Sequence, residues 1–255
     1  MQLIDTHAHL YTEAFDEDRH EMIQRALEAG VDHFFLPAID SSYTPAMKAL
    51  KGAYPDRMSL MAGLHPTHVG QEFEQELEWV ESELRTGSYA AVGEIGIDLY
   101  WDQSLLKEQT LAFRHQIGLA KEFGLPIVIH CRDAFDEIFE VLEREKDDRL
   151  FGIFHCFTGT EAQAKHVISL NMKLGIGGVV TFKNGGIDKF LQHIPLAHIV
   201  LETDAPYLAP VPYRGKRNES SYIRNVSARL AEIYQTSEAE IASITTANAK
   251  AVFGG

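Results

Sequence analysis

The feature that most limits what this chain can fold into is an alternation that runs from end to end. Short apolar runs are each followed by an amphipathic stretch of helical period. Read as strands, the apolar runs cover residues 3–9, 32–38, 58–64, 90–97, 127–130, 150–156, 172–176 and 199–203. Helical patterns lie near 16–29, 44–53, 73–85, 104–123, 133–146, 161–170 and 186–193, and two more, 221–234 and 238–250, follow the last strand. A strand that returns parallel to its predecessor needs a covering crossover, so this pattern predicts a parallel sheet wrapped in helices. Eight such units in 255 residues match an α/β fold of the (β/α)8 (TIM) barrel type in number and size. An open doubly wound sheet is the alternative, but no G-x-G-x-x-G follows the first strand. No Pro- or Ser-rich linker interrupts the pattern, so residues 1–255 are expected to form a single domain.

Composition narrows the class of function. The chain is 45% hydrophobic and 24% charged, the balance of an ordinary globular protein, with two cysteines and no apolar run of membrane-spanning length. Few cysteines fit a reducing compartment, and no basic-then-apolar leader is visible, so a cytoplasmic location is expected. A net charge of −14 argues against a protein that coats nucleic acid with broad basic surface. It leaves room for a nucleic-acid enzyme, because bound cations reverse the sign of a site locally.

The chemistry collects where barrel enzymes keep it, at the C-terminal ends of the strands. "LIDTHAHL" gives His7 and His9, two residues apart and so on one face of an extended strand. "GLHP" gives His65, "VGEIGID" gives Glu94 and Asp98, "VIHCRD" gives His130, "IFHCFTG" gives His155 and "LETDAP" gives Asp204. Taken singly, a strand histidine is more often a packed core residue than a ligand, and a lone carboxylate often caps a turn. Together these groups would each need a private partner inside one barrel mouth, since uncompensated buried charge is costly. A shared metal site satisfies them jointly. His20, His33, His115, His166, His193 and His198 lie away from strand ends and read as surface or packing residues. By alternation, Cys131 and Cys156 should face the helix layer as free thiols.

The motifs "DTHAHL", "GLHP", "GEIGIDLYW", "HCRDA", "HCFTG" and "ETDAPYLAPVPYRGKRNES", in this order and spacing, resemble the TatD family of metal-dependent deoxyribonucleases within the amidohydrolase-like superfamily. The resemblance covers nearly the whole chain. It departs from the family pattern at Ser220, where a proline is expected, and at Thr158, where serine is common. It implies a two-metal hydrolase in which His7, His9 and Asp204 hold one cation, His130 and His155 hold the other, and Glu94 bridges both. Asp204 would also orient and deprotonate the attacking water, which makes Asp204 and Glu94 the catalytic carboxylates. The implied cofactor is a pair of divalent cations, Mg2+ or Mn2+ in use, with Zn2+ suited to the same histidine-rich donors.

The implied substrate is DNA, cleaved 3′→5′ on single strands. An acidic protein must hold an acidic polymer locally, through its metals and a few side chains. His65, Lys183 and Arg214 are the candidates for substrate contact, with Lys216 and Arg217 of "RGKR" beside them. No membrane contact and no obligate protein partner is expected. Two other readings stand beside this one: a small-molecule amidohydrolase or lactonase on the same metals, and a non-catalytic binding barrel. The first class often bridges its metals with a modified lysine, and no lysine falls at a strand end here. The second has no physical need for six intact ligands.

Overall fold

A computed structural model describes residues 2–254. Eight parallel strands form one sheet in sequential order: β1 Leu3–Asp5, β2 Val31–Leu36, β3 Met58–Ala62, β4 Tyr89–Asp98, β5 Ile127–Arg132, β6 Gly152–Phe154, β7 Met172–Ile176 and β8 Ile199–Leu201. The sheet closes between its first and last strands. Thr6 N donates to Leu201 O at 3.0 Å, Asp204 N to His7 O at 2.9 Å and His9 N to Ala205 O at 2.7 Å, around an Ala8–Ala205 bridge. The predicted barrel is therefore the observed one.

Helices α1 Arg19–Glu28, α2 Thr44–Ala53, α3 Phe73–Leu84, α4 Leu106–Phe123, α5 Phe135–Glu145 and α6 Glu161–Ser169 follow the first six strands. Each buries one apolar stripe against the sheet, as Ile138, Phe139, Val141 and Leu142 do on α5. The helix expected over 186–193 is not an α-helix. That stretch forms two single 3-10 turns, Ile187–Lys189 and Leu191–His193, between a left-handed Gly186 and Pro195. Only eight residues lie between Gly186 and Pro195, so little propagation is available to offset the cost of nucleating an α-helix. α7 Ile223–Tyr234 and α8 Glu238–Phe253 complete the outer layer.

The core has two parts. The larger lies between sheet and helices. The smaller fills the barrel interior, with Ile4, Phe35, Met61, Ala91, Val128, Ile153 and Val200 from seven strands meeting Ala249 and Val252 of α8. Phe253 stacks on Phe35 with ring centroids 3.8 Å apart, so the C-terminal helix stops the bottom of the barrel. With the bottom sealed by hydrocarbon, the polar side chains that point inward collect at the other end.

Candidate metal centre

Inward parity fixes several of the site residues directly. From the interior residues Met61, Val128, Ile153 and Val200, steps of two or four along the chain reach His65, His130, His155 and Glu202, all at or just past the strand ends. Two elements break parity to join them. In β4, Gly93 pairs with Val128 and Ile95 with Ile129, so Glu94 is an extra residue in the ladder. Such a bulge re-aims side chains. It sends Ile95 and Ile97 outward to the helix layer and turns Glu94 and Asp98 inward. The first strand stops at Asp5, and a bend at Thr6 turns His7 and His9 into the mouth instead of leaving them on a continuous strand.

The carboxylate of Glu94 stands at the middle of the cluster. Its Oε2 faces His7 Nε2 at 3.1 Å and His9 Nε2 at 3.5 Å. Its Oε1 faces His130 Nδ1 at 2.8 Å, His65 Nε2 at 3.4 Å and His155 Nε2 at 3.7 Å. Asp204 Oδ1 lies 3.8 Å from His7 Nε2, 3.7 Å from His9 Nε2 and 3.8 Å from His155 Nε2. All six expected ligands thus converge on one end of the barrel. Among the described residues, groups with donor atoms within 4.8 Å of one another include His7–His9–Glu94, His7–His155–Asp204 and His65–Glu94–His130. His65, expected to contact substrate, stands in the ligand cluster itself.

The donor set fits divalent cations. His7 Nε2 and His9 Nε2 approach to 3.3 Å, and both point at the same two carboxylates. One proton can serve only one such nitrogen pair, whereas a cation accepts every one of these lone pairs at once. The electrostatics are those of a charge cluster in a dry mouth. Burial alone would lift the Glu94 carboxyl, but the surrounding histidines hold it well below the usual carboxylate range. Burial pushes Asp204 up to about 6 against the pull of His155 and His9.

A supporting ring of side chains orients the histidines. His130 Nε2 meets Asp98 Oδ2 at 2.8 Å, and His9 Nδ1 meets the Tyr11 hydroxyl at 2.9 Å, which donates onward to Pro37 O at 2.6 Å. His155 Nδ1 lies 2.9 Å from Glu202 Oε1, which also accepts from Cys156 N at 2.6 Å. A carboxylate behind a ligating imidazole fixes its orientation and raises its basicity. β7 makes room for Glu202 with a glycine, since a Cβ at Gly175 would fall 2.3 Å from Glu202 Oε2. The sequence reading missed Glu202 and Tyr11. The signal for Glu202 was present, because Glu202 and Asp204 alternate in "LETDAP" as the two histidines do in "DTHAHL".

Asp5 is wholly buried and ties the end of β1 to the segment that follows β8. It accepts from Thr203 N at 2.9 Å, Thr203 Oγ1 at 2.6 Å and Ser220 Oγ at 2.6 Å. Ser220, where a proline was expected, therefore holds the end of β1, from which the chain runs on to His7 and His9.

Two expectations need correction. Cys156 does not face the helix layer: its φ of 45° breaks the alternation and puts its sulfur among His155 and Glu202. Arg217 is not available to a substrate. Its guanidinium donates to Asp18 Oδ1 at 2.6 Å and Oδ2 at 2.8 Å and lies over the Phe15 ring. With Arg25 it holds Asp18 well below the usual carboxylate range. A depressed carboxylate stabilises the fold above its unfolded pKa near 3.8, and that contribution disappears as pH falls through lower values. Arg217→Ala is accordingly expected to lower the melting temperature by a few degrees at neutral pH, equivalent to about 1 kcal/mol for this partly exposed network. It should leave substrate KM unchanged; a KM rise with unaltered stability would restore Arg217 to the substrate.

Lys183 and Arg214 lie on the rim beyond β7 and β8, exposed and outside the ligand cluster. Their loops are joined: Val211 N donates to Thr181 Oγ1 at 2.9 Å, and the Arg214 guanidinium stacks 3.6 Å from the Phe182 ring centre. Among the described residues no helix is long and apolar enough to cross a membrane.

Comparison with known proteins agrees with this geometry. A family model described as TatD related DNase matches residues 4–254. The chain is 40% identical over 253 residues, 98% of each chain, to YabD of Bacillus subtilis, named an uncharacterized metal-dependent hydrolase. It is 31% identical to the 3′-5′ ssDNA/RNA exonuclease TatD of Yersinia pseudotuberculosis, over 98% of this chain and 99% of that one. Its fold superposes on the crystal structure of YjjV, a TatD homologue from Escherichia coli, with a TM-score of 0.92 at 31% identity, covering 99% of this chain and 98% of that one.

Proposed function

The chain belongs to the TatD-related DNase family and is a metal-dependent hydrolase, and we propose that its substrate is single-stranded nucleic acid, DNA in the first place, trimmed from the 3′ end. The observation that carries this reading is the placement of Glu94. One of its oxygens faces His7 and His9, and the other faces His65, His130 and His155. A carboxylate shared in this way is what a two-cation phosphodiesterase site needs. In this reading His7, His9 and Asp204 would hold one cation, and His130 and His155, with His65 beside them, would hold the other. Mg2+ or Mn2+ would serve in use, and Zn2+ would suit the same donors.

Bound there, divalent cations supply polarisation of the attacked phosphate and of water near neutral pH. The chain's own groups do the rest. Asp204 is the site carboxylate with the more solvent-exposed side chain, 12% against 2% for Glu94, so it is the one placed to orient the incoming water and accept its proton. Asp98, Tyr11 and Glu202 hold His130, His9 and His155 in position. The water oxygen bonds to phosphorus as the P–O3′ bond breaks, and the released 3′ oxygen leaves protonated by solvent.

The test is a metal-loaded assay on 3′-labelled single-stranded DNA beside a panel of esters and lactones. Stepwise release of mononucleotides from the 3′ end supports the reading. Turnover of a lactone with intact DNA would replace it with the small-molecule alternative.

Substrate capture should be local. With Arg217 engaged by Asp18, the exposed cations of the β7 and β8 loops that the sequence singled out are Lys183, Arg214 and Lys216. Two or three phosphate contacts on a single strand give a log–log salt slope of about −1.4 to −2.1 at fixed metal concentration. Arg214→Ala should flatten that slope by about 0.7 and leave metal content unchanged. A steep slope, or no change in the variant, would mean that binding runs along another surface of the protein.

A further inference from the structure

The loop after β4 carries the largest exposed aromatic group of the mouth, and the metal centre as described does not use it. Trp101 is 71% exposed and Tyr100 54%, with their rings edge-on at 4.9 Å. The Arg132 guanidinium, at the end of the neighbouring β5, lies 3.6 Å from the Tyr100 ring centre and 5.6 Å from that of Trp101. Keeping an indole in water is unfavourable, so the exposure of this group points to an occupant. The group is tied to the centre. Asp98 Oδ1 accepts from Tyr100 N at 3.0 Å and Trp101 N at 3.4 Å, while its Oδ2 meets His130 Nε2 at 2.8 Å.

Resting on the nuclease reading above, we propose that Trp101, Tyr100 and Arg132 form a stacking platform that holds a base of the single strand next to the phosphate being cleaved. Flat aromatic faces stack on any base, and a guanidinium beside them stacks and attracts the flanking phosphate. A local cation with two aromatic faces suits an acidic protein that must seize an acidic polymer over a short footprint. Paired bases offer no free face, so such a platform also favours single strands over duplexes. Because Asp98 bonds both the platform's backbone and His130, a stacked base is held in fixed relation to the ligand cluster.

The experiment compares oligothymidylate with an abasic oligonucleotide of the same length. Trp101→Ala should raise KM for oligothymidylate about 5- to 150-fold, the range for loss of one stacked base, with kcat and metal content near wild type. It should leave the abasic substrate unaffected, and Trp101→Phe should recover most of the loss. In a Trp79→Phe background, where Trp101 is the remaining tryptophan, oligothymidylate should quench fluorescence in stopped flow before turnover, and the abasic strand should not. Equal KM changes on both substrates, or cleavage of DNA with no Trp101 effect, would overturn the platform and leave the nuclease reading standing. Base-dependent quenching without any cleavage would do the reverse. If Trp101→Ala altered only the elution volume in gel filtration, the face would belong to a second copy of this chain and the proposal would fall.

Discussion

Glu94→Gln is expected to leave the barrel folded and to reduce hydrolysis on the order of 10³-fold, the scale on which a preorganised electrostatic element in a water-excluded site is lost. The substitution keeps the shape of the side chain and removes its charge. One oxygen becomes an amide NH2, a donor with no lone pair for a cation. Because the two oxygens of Glu94 face different groups of histidines, the loss reaches both halves of the cluster. Metal analysis of the purified variant should find one divalent ion or none, with an unchanged far-ultraviolet circular dichroism spectrum. Two tightly held ions in that variant would remove the bridging role from Glu94.

The second large effect is on the fold. Gly96 has a φ of +145°, and a Cβ there would fall 2.0 Å from the carbonyl oxygen of His130. Gly96→Ala must therefore push β4 and β5 apart at the residue that carries a ligand. A cost of about 3 kcal/mol or more is expected, from strain and lost strand pairing together. For a chain of this size that is a fall of roughly 6–12 °C in melting temperature, accompanied by weakened metal retention. Gly118→Ala supplies the control. Gly118 sits on the exposed face of α4, and a Cβ there meets nothing within 4 Å. The same substitution should there stabilise by up to about 1 kcal/mol, because alanine loses less backbone entropy in a helix. Equal melting temperatures for the two variants would show that the β4–β5 contact yields more easily than this geometry implies.

The barrel was legible because its signal is repeated and local. Each strand and helix declares itself through a periodicity set by burial on one face, and the failure at 186–193 came where one such stretch was too short to decide between helix types. The ligand set was legible for a related reason. Histidines and carboxylates are costly inside a barrel unless they share a purpose, so their recurrence at strand ends was informative without coordinates. The substrate side was less so. Arg217 and Arg214 are close in the chain and carry the same charge, yet one is spent on Asp18 and the other lies over Phe182. Long flexible cations take partners that arrive from distant parts of the chain.

What the sequence determined by itself was the number and order of the elements and the kinds of group that meet at their ends. Strand alternation alone would place His65, His130, His155 and Glu202 on the interior face. Counted from the interior residues Ala91 and Ile4, each three residues earlier, it would place both Glu94 and His7 outward. Only the tertiary structure decided those two. The extra residue at Glu94 shifts β4 by one against β5, and the bend at Thr6 releases the first strand to pair again with Ala205. A period of two is fixed by the backbone of one strand, whereas register is fixed by what the neighbouring strand offers, and that neighbour is supplied by the closed barrel.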